Sequence, residues 1–172
     1  MKASRFAAVD VHYPAAGGAL AALVVATDPT FAVVAEEHTA ALTDVADYRP
    51  GAFYLRELPA IGAVLARAAP VGLLIVDGYV DLDGEGRPGL GAHAHAQFGM
   101  PVIGVAKTVF RGSTHAAEVR RGGTAPLYVT AAGIPVSDAA ELVKDMAGPY
   151  RLPDALRRVD ALCRGRADNR PR

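Results

Sequence analysis

Apolar residues fall along this chain in short, bounded runs. Phe6–Val11, Ala19–Ala26, Val71–Val76 and Val102–Ala106 are each five to eight residues long and stop at turn-forming or charged positions. Runs of that length read as buried strands. Strands over 5–12, 19–26 and 31–37 are separated by Pro14 to Gly18 and by Asp28-Pro29, connections short enough for an antiparallel meander. Leu58, Ile61 and Leu65 then share one helical face. A strand at 72–77, a Gly-rich loop, a short helix near 90–98 and a strand at 101–106 follow. A hairpin over 116–131 turns at Gly122-Gly123, and helices near 136–147 and 153–165 close the chain. This order predicts an α/β domain: a mixed five-stranded sheet, three strands in a meander and the others parallel, flanked by helices. Strands 1 and 4 should be parallel neighbours. Residues 1–166 read as one domain and 167–172 as a polar, disordered tail.

Acids interrupt this pattern where a core should hold none. Asp10 breaks the first run, and Asp77 ends the fourth just before Gly78. A carboxylate buried at a strand end costs several kcal/mol to desolvate, roughly, unless something cationic meets it. Side by side, two such carboxylates suit a divalent metal; separately, each could be a strand exit bonded to its own loop. Glu57 opens the helix after the meander, where it could serve the helix dipole or join the acids. Asp160 lies beside the apolar stripe Leu152, Leu156, Val159 and Cys163, so it should face the sheet. Its partner could be a shared metal, Arg56 or another buried arginine. Lys107 ends the strand next to Asp77 and could neutralise a phosphate. Pro50-Gly51 makes a turn that presents Tyr48 at a loop tip, for stacking on a base or for packing under its own loop.

Composition narrows the class. The 172 residues are 51% hydrophobic and 21% charged, as in an ordinary globular domain. No apolar run approaches the length of a membrane span, and the first residues lack a signal-peptide core. Cys163 is the sole cysteine, which excludes an internal disulfide and favours a reducing cytoplasm; it reads as a small buried helix residue. Formal net charge is zero, so no global field draws nucleic acid. Of the 18 basic residues, however, eight (Lys144, Arg151, Arg157, Arg158, Arg164, Arg166, Arg170, Arg172) lie near the end of the chain. The acids of Asp81 to Gly86 do not make a calcium loop, because Ala92 stands at the twelfth position. His93 and His95 lack the spacing of a helical zinc pair. No nucleophile elbow, phosphate-binding glycine loop or CxxC occurs.

The segments Val9-Asp10-Val11, Tyr48-Arg49-Pro50-Gly51, Phe53 to Glu57, Val76-Asp77-Gly78, Ile103 to Lys107, Tyr150 to Pro153 and Arg158 to Ala161 share an order and spacing with one family. Over residues 6–165 the chain resembles endonuclease V, a metal-dependent nuclease of RNase H-like fold that acts beside deaminated purines. The unbroken spacing from Tyr48 to Glu57 carries most of that resemblance. It implies that Asp10 and Asp77 bind Mg²⁺ or Mn²⁺, with Glu57 and Asp160 completing the metal-binding cluster. It further implies that Lys107 approaches the phosphate. Tyr48 would be a wedge, on a loop shaped by Pro50 and Gly51. Gly78 and Gly104 would lie against the extruded base. The substrate would be DNA or RNA containing a deaminated purine, nicked on its 3′ side to leave 3′-hydroxyl and 5′-phosphate ends. The chain departs from the family after Gly78, where Asp83 stands near a usual histidine within an expanded loop, and at Gln97. Two other readings remain: a nuclease of the same fold without purine selectivity, and a non-catalytic nucleic-acid-binding module. Oligomeric state stays open.

Overall fold

The computed structural model describes residues 4–50, 52–110 and 115–166. Its frame is a mixed sheet: β1 (Phe6–His12), β2 (Ala19–Ala26), β3 (Val34–Leu42), β4 (Leu73–Asp77), β5 (Val102–Ala106), β6 (Ala117–Val119) and β7 (Leu127–Ala132). Their order across the sheet is β3-β2-β1-β4-β5-β7-β6. β1 to β3 form the antiparallel meander, and β1, β4 and β5 run parallel. The sheet therefore has seven strands, not five. The hairpin does not stand apart; β7 pairs antiparallel with β5 and carries β6 outside it. Leu127 and Val129 are buried in the core, and burying them is the physical reason for the added strands.

The third strand starts later than its apolar residues suggest. Thr30 is held by hydrogen bonds to the Asp28 carboxylate, and Phe31 takes a left-handed φ of 54°. That turn sends Phe31 into the core and delays pairing until Val34. The strand then continues to Leu42 through Glu36, Glu37 and His38, polar positions that an edge strand tolerates.

Each face of the sheet is covered by two helices. α1 (Tyr54–Leu65) and α2 (Leu90–Phe98) cover one face, where Ala7, Val9, Leu23, Leu74 and Val76 pack with Leu58, Ile61 and Val64. Val64, not Leu65, completes the buried stripe of α1. α3 (Val136–Asp145) and α4 (Asp154–Cys163) cover the other face over Ala8, Ile75, Ile103, Val105 and Leu127. Arg121, buried near the end of β6, donates from one guanidinium nitrogen to the carbonyls of Val143 (2.8 Å), Lys144 (3.1 Å) and Met146 (2.8 Å). Its other terminal nitrogen reaches Gly148 (2.9 Å). A cation there satisfies the orphan carbonyls at the end of α3 and complements its dipole. Among the described residues, no helix is long and apolar enough to cross a membrane. The tail 167–172 lies outside the described residues.

Candidate active site

Sheet register places the first two acids together. Val9 pairs with Val76 across the parallel β1–β4 ladder, so Asp10 and Asp77 come next, at the carboxyl ends of adjacent strands. Side chains alternate along a strand. Ala8 and Ile75 face α4, and so do Asp10 and Asp77 two residues on. α4 lays Leu156 and Val159 on that face and brings Asp160 to the same point. Lys107, one residue past β5, closes the side. These four, with Val9, Val105, Leu152, Leu156 and Val159, line a hollow of about 20 Å³. That is the room one water or one ion takes. Glu57 arrives from the opposite face, in the first turn of α1, and is 8% exposed.

The carboxylates are held in an unfavourable state. Burial pushes Asp10 up to about 6, with the charge of Asp77 adding to it and the Val11 N–H opposing. Burial pushes Glu57 up to about 8, with Asp10 and Asp77 adding. Asp77 is raised as well, first by the protein packed around it and then by Asp160, while Lys107 and Arg164 pull it down. Its side chain is nonetheless exposed on the open side of the strand end. Asp160 lies below the usual carboxylate range: burial raises it, but the Arg164 guanidinium, donating at 2.8 Å, outweighs that. The Tyr13 hydroxyl is buried beside Glu57, and Arg56 stacks 4.0 Å over the Tyr13 ring. Crowded oxygen donors around an ion-sized hollow, with Asp10, Asp77 and Glu57 raised, fit a hard divalent cation, which removes the penalty on those three at once.

Beyond Asp77 the surface opens into a cleft of about 590 Å³. Tyr48, Phe53, Tyr54, Tyr79, Phe110 and Leu82 supply its apolar walls, and Arg87 its rim. Tyr48 is 60% exposed, with its ring 6.1 Å edge-on from Phe53. Tyr54 is steadied from behind by His93, stacked at 3.5 Å. Tyr79 fixes the far wall: its hydroxyl donates to the Thr108 carbonyl (2.8 Å) and accepts from the Phe110 N–H (3.1 Å). Gly78 has φ of 125°, and nothing lies within 4 Å of where a Cβ would stand, so bare backbone forms the floor between hollow and cleft.

A family model for endonuclease V matches residues 1–135. Endonuclease V of Streptomyces coelicolor is 37% identical over 93% of this chain and 78% of that protein. The chain belongs to the endonuclease V family. Among solved structures, endonuclease V of Streptomyces avermitilis superposes with a TM-score of 0.80 at 29% identity, covering 94% of this chain and 80% of that one. Endonuclease V of Ciona intestinalis, in complex with DNA containing an inosine followed by a ribo-adenosine, gives 0.79 at 18% identity over 95% and 85%. The family match ends before α4, and Asp160 is placed at the hollow by geometry alone.

In this endonuclease V family member, Asp10, Asp77, Asp160 and Lys107 meet at one hollow, with Glu57 electrostatically coupled to it. Tyr48 stands at the cleft rim, and Pro50 is exposed on its loop; Gly51 lies outside the described residues. Gly104 lies beneath the loop that bears Gly78. It is buried in β5, where a Cβ would fall 2.5 Å from the Gly78 carbonyl oxygen, 2.7 Å from Thr130 Oγ1 and 2.9 Å from the Val80 nitrogen. The absence of a side chain there lets that loop sit down on β5. Asp83 is spent on its own turn, accepting from the Glu85 and Arg87 N–H groups at 3.0 and 3.1 Å. Arg151 is an addition: it donates to the carbonyls of Lys107 (2.5 Å) and Pro126 (2.6 Å), anchoring the backbone of Lys107. Phe110 is another, in an irregular segment whose pattern carries no periodic signal.

Proposed function

We propose that this chain is a divalent-metal-dependent endonuclease that cuts the phosphodiester on the 3′ side of a deaminated purine, hypoxanthine in DNA or inosine in RNA. The products would carry 3′-hydroxyl and 5′-phosphate ends. One observation carries the reading. Asp77 lies on the wall shared by the ion-sized hollow and the base-sized cleft. A nucleotide seated in the cleft would therefore present its phosphate to the acids.

Asp10 and Asp77 would hold Mg²⁺ or Mn²⁺, flanked by Glu57 and Asp160. When bound, that ion supplies nucleophile activation and neutralises the charge developing on the phosphate. Lys107 would meet a phosphate oxygen from the β5 side, its backbone fixed by Arg151. Glu57, kept protonated more readily than an ordinary glutamate, can exchange a proton near neutral pH. Tyr48 would fill the gap left by the extruded base, its loop shaped by Pro50 and Gly51. The aromatic walls would stack on the base, and the bare backbone of Gly78 would lie along its edge. Extrusion costs least for a weakly paired base such as hypoxanthine, which favours damaged sites before any contact discriminates. The inosine-containing DNA named with the Ciona intestinalis enzyme is a ligand of the class this cleft suits.

The test is a nicking assay on inosine-containing and undamaged duplexes and on inosine-containing RNA, with Mg²⁺, with Mn²⁺ and with chelator, for the native chain and Asp77→Ala. Metal-dependent cutting of the inosine substrates alone, lost in Asp77→Ala, is expected. Equal cutting of undamaged DNA would replace the proposal with an unselective nuclease. Binding without cutting under every metal condition would make the chain a nucleic-acid-binding module.

A further inference from the structure

We propose that Arg164 is a movable phosphate-binding residue: it rests on Asp160 in the unliganded chain and passes to a substrate phosphate when a metal ion takes that carboxylate. Asp160 lines the hollow together with Asp10, Asp77 and Lys107. Arg164 stands one turn further along, just past the end of α4, and its Nε donates to Asp160 Oδ1 at 2.8 Å. That pair spends one of the five guanidinium N–H groups. The other four make no hydrogen bond among the described residues, and the side chain is 43% exposed. Its charge is felt at both Asp77 and Asp10. Lys107 acts on Asp77 and Asp160 from the β5 side. Two cations therefore flank the hollow, one at a strand end and one on a long, open side chain.

The exchange follows from charge. A carboxylate that serves a divalent ion turns its oxygens toward it, and the ion repels a guanidinium close by. A solvent-exposed ion pair is weak, so Arg164 gives up Asp160 readily. The released guanidinium is planar, always charged and matched to two phosphate oxygens at once. Its neighbours on α4 are engaged elsewhere: Arg157 lies over Tyr150, and Arg158 pairs with Glu37. Arg164 alone of the three is held by an acid of the hollow. The inference rests on the proposed metal site and deepens it, because the ion is what Asp160 receives in exchange for the arginine.

The experiment uses the full chain. Mn²⁺ binding without nucleic acid is read by electron paramagnetic resonance for the native chain, Arg164→Ala, Asp160→Asn and the double variant, at about 0.15 M salt to screen bare charge. Arg164→Ala should tighten Mn²⁺ about three- to tenfold by freeing Asp160, and that gain should fall below about twofold in the Asp160→Asn background. Binding to inosine-containing duplex is then read by stopped-flow anisotropy, before turnover, with Mn²⁺ and with chelator. Arg164→Ala should weaken it about tenfold with Mn²⁺ but less than about twofold with chelator, where the native arginine stays on Asp160. Equal weakening in both conditions would make Arg164 an ordinary surface contact and overturn the proposal. So would Mn²⁺ affinity unchanged by Arg164→Ala, or a gain undiminished in Asp160→Asn. Both shifts as expected, with no nicking of inosine duplex by the native chain, would sink the nuclease reading and leave this exchange standing.

Discussion

The narrow hollow and the wide cleft share Asp77, yet they are built in opposite ways. The hollow is made by regular structure: two parallel strands in register, a helix laid across them, and the first turn of another. Its charges stay in conflict, with Asp10 raised by burial and by Asp77, and Glu57 by burial and by Asp10. The cleft is made by loops and ring edges, and its wall is settled by neutral hydrogen bonds such as those through Tyr79. Where chemistry must be placed to fractions of an ångström, the fold uses elements that cannot drift; where a partner must be admitted, it uses segments that can.

Breaking the hollow should give the largest effect. Asp77→Asn is nearly isosteric and should lower metal-dependent nicking by about a thousandfold, the loss of roughly 4 kcal/mol of charge stabilisation, while binding to inosine duplex persists. Single-turnover kinetics beside gel-shift binding check it; equal loss of both would mean that the two regions do not divide the work.

Gly104→Ala tests the joint between them. Its Cβ must displace the Gly78 carbonyl or Thr130, which should cost about 1–3 kcal/mol in urea unfolding and weaken substrate binding as the loop lifts. Phe110→Ala addresses the cleft alone. Stacking is worth about 1–3 kcal/mol per base, so the preference for inosine over undamaged duplex should fall about ten- to a hundredfold with the maximal rate nearly kept. Competition between the two substrates in one reaction reads this ratio.

A pH series sharpens the contrast further. In the metal-free protein Asp10 and Glu57 sit near 6 and 8 against ordinary values of 3.8 and 4.5, so the folded state holds protons that the unfolded state has released. Their contribution is fully present below the ordinary values and is lost as pH rises through about 6 and then about 8. Mn²⁺ binds the ionised forms, so its gain in melting temperature should be larger at about pH 8 than at about pH 5. Equal gains at both would place the ion away from these acids. The smallest effect belongs to neither region: Arg158→Ala, which removes the bidentate pair with Glu37, should change stability by about 1 kcal/mol or less and leave nicking unaltered.

Most elements were legible because their periods are strong. β1, β2, β4, β5 and all four helices follow from apolar spacing, and Asp10 and Asp77 announced themselves by breaking it. β3 and the hairpin strands were harder for a shared reason. Edge positions tolerate polar residues, so their pattern is diluted, and a turn held by Asp28 moved Phe31 out of the strand. Eight basic residues crowd the end of the chain. In the fold Arg158 pairs with Glu37, Arg164 with Asp160, and Arg157 lies over Tyr150.

By itself the sequence determined the strands, the helices and the identity of the acids, because those depend on local period and on the cost of burying charge. That β1 and β4 lie in register at Val9 and Val76 was decided by tertiary structure, and so was the arrival of α4 and α1 from opposite faces. Gly104 shows the division most sharply. A glycine in a strand reads as freedom or as contact with a ligand. Only the packed loop above it, with the Gly78 carbonyl where a side chain would stand, makes it a steric requirement. Such non-local contacts carry no signature in the spacing of residues, since they exist only once separate elements have docked.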